Sequence, residues 1–102
     1  MSSIASAKEG KNNLLNKAKR QKMKYVYFLE SLTRPGRHYV GITRELNKRL
    51  KEHNAGKLSN TKAYKPWKIV VALRFEDKHK AHAFEKYLKT GSGHAFAKRH
   101  FW

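Results

Sequence analysis

A handful of side chains in this 102-residue sequence could do chemistry together. Arg49 and His53 stand four apart. On a helix turning about 100° per residue they flank the Leu46/Leu50 stripe, so a guanidinium and an imidazole can converge on one spot beside the core. Charge and proton exchange would then be available at a single place. An Arg stem lying along apolar surface and a boundary His bonded to a carbonyl would give the same spacing. Glu85 falls inside the apolar stripe of Ala81, Phe84 and Leu88. A carboxylate there is costly unless paired, hydrogen-bonded or bound to a cation. Lys89, four residues on, offers an ordinary ion pair, and a hard cation offers the other solution. Tyr27 and Tyr39 share a face if their strands bring them nearly opposite. His79 and His82 have a helical spacing, but no third ligand accompanies them, and they are expected at the surface.

These residues need elements to hold them. Tyr25–Leu29 is a run of β-formers; Thr33–Arg37 contains Pro35-Gly36, a turn signal; His38–Ile42 reads as a second short strand. The pair predicts an antiparallel hairpin. Thr43 is a candidate N-cap for a helix over 44–55, with Gly56 as its stop. Residues 57–66 are polar and turn-like. Trp67–Phe75 is the strongest strand: alternation predicts Trp67, Ile69, Val71, Leu73 and Phe75 on one face, with Val70 and Ala72 on the other. Asp77 caps a second helix over 78–89, ended by Gly91 and Gly93, and Phe96, His100, Phe101 and Trp102 read as an apolar tail returning to the domain. Two helices interleaved with three strands predict an α+β fold, a small sheet with helices on its faces.

Composition limits what the chain can be. Its length suits one domain with one modest core. With no cysteine, disulfides, Cys-ligated zinc and thiol catalysis are excluded. Twenty-four Lys and Arg against seven Asp and Glu give a formal charge of +17. Such an excess calls for a polyanion, nucleic acid first and an anionic membrane surface second. No apolar run is long enough to span a bilayer, and no secretory signal is evident, so a soluble, cytoplasmic protein is expected. Residues 1–24 hold seven of the basic residues and one acid and read as a basic, flexible arm, with a short helix over Lys11–Arg20 on contact with phosphate. The remaining domain, 25–102, keeps seventeen basic and six acidic residues, so it is itself about +11.

Tyr25-Val26-Tyr27, Tyr39-Val40-Gly41, Arg49 and His53 at ten and fourteen residues past Tyr39, and a later helix Glu85 together resemble the GIY-YIG nuclease family. Phe84–Gly93 is most similar to its small single-domain bacterial members, relatives of the excinuclease C subunit. The resemblance implies a three-stranded antiparallel sheet flanked by helices, and hydrolysis of DNA phosphodiester bonds with one divalent ion, Mg²⁺ or Mn²⁺. It further implies Glu85 as the metal ligand and Tyr27 and Tyr39 as the motif tyrosines, one of them the general base. Arg49 would stabilise phosphate charge, His53 would assist proton transfer or orientation, and Gly41 would let the backbone turn tightly. Phosphoryl transfer asks chiefly for charge neutralisation, which a cation and an Arg supply.

Two positions depart from the family pattern. Tyr25 stands where the first triplet has Gly, and Ala97 and His100 stand where many members carry a phosphate-supporting Asn. The loop of Ser59, Asn60, Thr61 and Lys62 is a candidate substitute for that Asn. Lys48, Lys62 and Lys89, with Lys17, Lys19 and Arg20 of the arm, are the expected nucleic-acid contacts. The expected function is a metal-dependent DNA endonuclease in repair or recombination; a non-catalytic nucleic-acid-binding module on the same fold is the alternative.

Overall fold

A computed structural model describes residues 22–102. Strands β1 (Lys24–Ser31), β2 (His38–Thr43) and β3 (Trp67–Phe75) form one antiparallel sheet in the order β2-β1-β3. Helix α1 (Leu46–Asn54) follows the hairpin, and α2 (Lys78–Leu88) and α3 (Gly91–His100) follow β3. Residues 1–21 of the expected arm, with the Lys11–Arg20 helix and Lys17, Lys19 and Arg20, lie outside the described residues, whereas Met23 is buried and Lys24 opens β1, ahead of the expected boundary at 25.

The central strand β1 is apolar on both sides because both sides are covered. Val26 and Phe28 join Ala81, Leu88 and Ala97 in a core under α2 and α3. Tyr27 and Leu29 join Trp67 in a second cluster under α1, with Tyr39, Leu46 and Leu50 against it. One strand therefore feeds a Phe-rich apolar core on one face and a cluster with polar groups, Tyr27 and Tyr39 among them, on the other. Phe101 and Trp102 pack on Phe28 at ring distances of 4.8 and 5.6 Å, as expected of a returning apolar end.

Three local expectations are corrected. Helix α1 begins at Leu46; Glu45 is its N-cap, while the Thr43 hydroxyl accepts a hydrogen bond from the Glu45 N–H at 3.1 Å and shapes the approach. Strand β3 does not keep one apolar face. Phe28 pairs with Val71 but Leu29 pairs with Ile69, so Val70 is an extra residue, a β-bulge. The bulge sends Trp67 and Ile69 to the α1 side and Val71, Leu73 and Phe75 to the other. Finally, Gly91 and Gly93, expected only to end the second helix, open a third, and the apolar tail expected to return to the domain is largely helical. The Thr90 hydroxyl caps it, accepting from Gly93 N–H at 3.1 Å, and Gly93 lets the helix turn directly against α2.

Candidate active site

Gly41 and Tyr27 are partners across the hairpin, and Tyr39 faces Leu29, so the two motif tyrosines are diagonal neighbours on one face and not directly opposite. Their ring centroids are 6.3 Å apart. Gly41 lies mid-strand, and its contribution is space: a Cβ there would fall onto the Oη and Cζ of Tyr27. The expected tight turn at Gly41 is corrected accordingly. The missing side chain is what admits the phenol beneath β2.

Helix α1 supplies the next two groups. His53, four residues past Arg49, is 1 % exposed and lies edge-on to both tyrosine rings, at 5.7 and 5.1 Å. Its Nε2 is 2.8 Å from Tyr27 Oη, and its Nδ1 is 2.7 Å from the hydroxyl of Thr61. Thr61 is fully buried. Of the four loop residues singled out from the sequence, it is the one that reaches the site; Ser59, Asn60 and Lys62 are exposed. Trp67 fixes it, donating its indole N–H to the Thr61 carbonyl at 2.9 Å. Asn54 in turn clasps the Trp67 backbone, accepting from its N–H at 2.6 Å and donating to its carbonyl at 3.1 Å. No periodicity marks Thr61, Asn54 or Trp67 as site residues. Thr61 lies in an aperiodic loop, and the others read as a helix end and a strand start.

One donor pattern satisfies the whole chain of contacts. The Thr61 hydroxyl is within reach of the Leu58 carbonyl, which can only accept, so it accepts in turn from His53 Nδ1 and leaves Nε2 to take the proton of Tyr27 Oη. A neutral His53 then carries its proton on Nδ1 and donates to Thr61, whose hydroxyl donates onward to the Leu58 carbonyl at 3.4 Å. Neutrality follows from the surroundings: burial, and then the Arg49 charge, hold the imidazole below its ordinary range, with Glu52 opposing. Burial and then Tyr39 push the Tyr27 phenol up to about 12, against the pull of Arg49. The result is a protonated tyrosine aimed at a neutral base.

Arg49 is part-exposed, and its Nε meets Glu52 at 3.0 Å. It lines an open cleft of about 300 Å³ with Lys24, Arg44 and Lys48. Burial, and then repulsion from Arg44, Lys78 and Arg49, lower the Lys24 pKa, which marks this cleft as crowded with positive charge. His79 and His82 are exposed, as expected, and His82 contacts Lys24 at 3.1 Å.

Glu85 sits on α2, under the opposite face of the sheet from α1. Lys89 joins the two sides at the β2 edge. Its ammonium is 3.4 Å from Glu85, 3.3 Å from the Val40 carbonyl and 5.7 Å from the centre of the Tyr39 ring. Both solutions for Glu85 therefore remain chemically open: it has its ion pair, yet it keeps 24 % side-chain exposure. No group of three or more metal-binding side chains occurs among the described residues. A lone, half-buried carboxylate fits a hard ion that is held by one carboxylate, water and substrate phosphate.

Two relatives from Streptococcus pneumoniae, each named a UPF0213 protein, one from strain TIGR4 and one from strain R6, are 39 % and 38 % identical to this chain over 66 residues. Each match takes in 64 % of this chain and 65 % of the relative, so the chain spans just under two thirds of the length of the curated relatives it matches. No helix among the described residues is long and apolar enough to cross a membrane. The model of the GIY-YIG catalytic domain matches residues 23–98, from the strand that carries Tyr27 through the helix that carries Glu85, and on that match the chain belongs to the GIY-YIG family of nuclease domains.

Proposed function

We propose that this chain is a metal-dependent endonuclease that hydrolyses DNA phosphodiester bonds, acting in the cytoplasm on repair or recombination intermediates. The observation that carries the reading is the Tyr27 hydroxyl 2.8 Å from Nε2 of the buried His53, with the Arg49 charge close enough to oppose the rise of the phenol's pKa. A phenol with a pKa near 12 is a poor base by itself. Tyr27 works instead as a relay: its oxygen takes a proton from the attacking water while its own proton passes to His53 Nε2. No free phenolate is needed, and the neutral imidazole is already aligned by Thr61. Arg49 reaches from Tyr27 to the open cleft, so it meets phosphate charge there. Tyr39 packs against both Tyr27 and His53 and holds them in register. Glu85 is the residue that would hold Mg²⁺ or Mn²⁺. When bound, such an ion neutralises phosphate oxygens as a Lewis acid. Lys48, Lys62 and Lys89 are exposed and take flanking phosphates.

Incubation of linear, nicked and branched DNA with Mg²⁺ or Mn²⁺ tests this reading. Wild type cuts, Arg49→Ala loses about 10²–10³ in rate, His53→Gln about 10²–10⁴, and Glu85→Ala loses metal-dependent cutting. A wild-type protein that binds all three DNAs without cutting any would make the chain a binding module.

A further inference from the structure

Beyond Tyr39, on the open side of the sheet edge, lies a larger recess of about 710 Å³ that the relay does not use. Its cationic groups are Arg37 before β2, Lys89 at the end of α2 and Lys98 on α3. Its acids stand behind its walls, Glu85 paired with Lys89 at 3.4 Å and Glu30 with His38 at 3.6 Å, whereas Glu45 and Glu52 line the Arg49 cleft itself. Its aromatic wall is built from two distant parts of the chain. Trp102 stacks on His38 with ring centres 3.6 Å apart and planes within 5° of parallel. The indole is only half-buried although it also packs edge-on against Phe28. Tyr39 lines this recess and also touches Tyr27 and His53, so the recess begins where the relay ends.

Aromatic planes beside ammonium and guanidinium groups suit a ligand with a flat uncharged part and an anionic part. A nucleotide of a DNA strand has both. Within a duplex each base has its faces covered by neighbours and its edge by a partner, so it cannot lie on Trp102. An unpaired base can, and stacking of this kind adds affinity without reading sequence. We propose that this recess is a subsite for an unpaired nucleotide next to the cut, which makes DNA with a single-stranded segment the substrate class. The inference rests on the nuclease reading above for the position of the cut, but the binding it asserts can be measured without cleavage.

The experiment is fluorescence anisotropy in EDTA with the full chain and three labelled ten-unit probes: oligothymidylate, an abasic deoxyribose-phosphate oligomer and a blunt duplex. Oligothymidylate is expected to bind about tenfold or more tightly than the abasic oligomer. Trp102→Leu, which keeps apolar contact with Phe28, should abolish that difference. Lys98→Glu, an exposed change that leaves the fold alone, should weaken both single-stranded probes about tenfold. An Arg49→Ala/Glu85→Ala double variant should keep the preference for oligothymidylate. Equal affinity for the abasic and thymidylate probes, a preference for the blunt duplex, or indifference to both recess variants would overturn the subsite. Absence of metal-dependent cutting together with a retained base preference would instead overturn only the endonuclease reading.

Discussion

The Tyr27 hydroxyl and His53 Nε2 meet at 2.8 Å in a buried pair, and this fixes how the domain responds to pH. The folded protein favours neutral His53, whose pKa lies below its ordinary value. Its contribution to stability is therefore complete above about pH 6.5 and is lost as pH falls through the lowered folded value. Tyr27 runs the other way. Its pKa is raised to about 12, so its contribution is complete below about pH 10 and is lost as pH rises through 12, a loss of roughly 2–3 kcal/mol. Urea denaturation across pH should show both limbs, the acid one flattened in His53→Gln and the alkaline one reduced in Tyr27→Phe; parallel profiles for wild type and variants would contradict the assignment. At this scale the sequence says much. Arg49, His53 and the two tyrosines come together because helical spacing and strand alternation are strict. Thr61 was reachable only as one of four loop residues, since what selects it is a fold in the chain that brings position 61 back to position 53.

Elements were legible wherever a single periodicity ruled and illegible where packing overrode it. The hairpin, the β3 span and the Asp77 cap all follow local rules, and the Asp77 carboxylate accepts from His79 N–H at 2.8 Å as its position predicts. The β3 bulge leaves no trace in composition, because Val70 is as good a strand residue as its neighbours. Helix α3 was hidden by its own glycines, which usually signal a stop. At Gly93 the absent Cβ is needed because it would collide with the Tyr87 carbonyl and the Leu88 backbone, whereas at Gly91 nothing is near. Gly93→Ala should therefore cost about 1–3 kcal/mol in thermal denaturation. Gly91→Ala should leave stability unchanged or raise it by up to about 1 kcal/mol. Similar losses at both positions would mean that helix entry, not the approach to α2, demands glycine.

The whole molecule is a cationic body whose charge is spread over the domain. Residues 25–102 carry about +11, and residues 1–21 add five further Lys and Arg. We propose that residues 1–21 act as a basic arm to the domain, which itself begins with the buried Met23 and with Lys24 in β1. Removing residues 1–21 should leave the melting temperature in place and flatten the dependence of DNA affinity on salt by roughly 0.9 in log–log slope for each phosphate that the arm no longer neutralises. An unchanged slope would mean that the domain alone makes the electrostatic contacts. The net positive charge was plain from counting, but its sorting between two clefts depends on which strands and helices meet. The alternation along β1 carries a last implication. Because Val26 and Phe28 anchor the interior while Tyr27 and Leu29 serve the other side, inserting or deleting one residue within that strand would swap the two sets at once. Length variation among kindred chains should consequently gather at the hairpin tip and in the segment before Trp67, leaving the middle of the ribbon invariant in residue count.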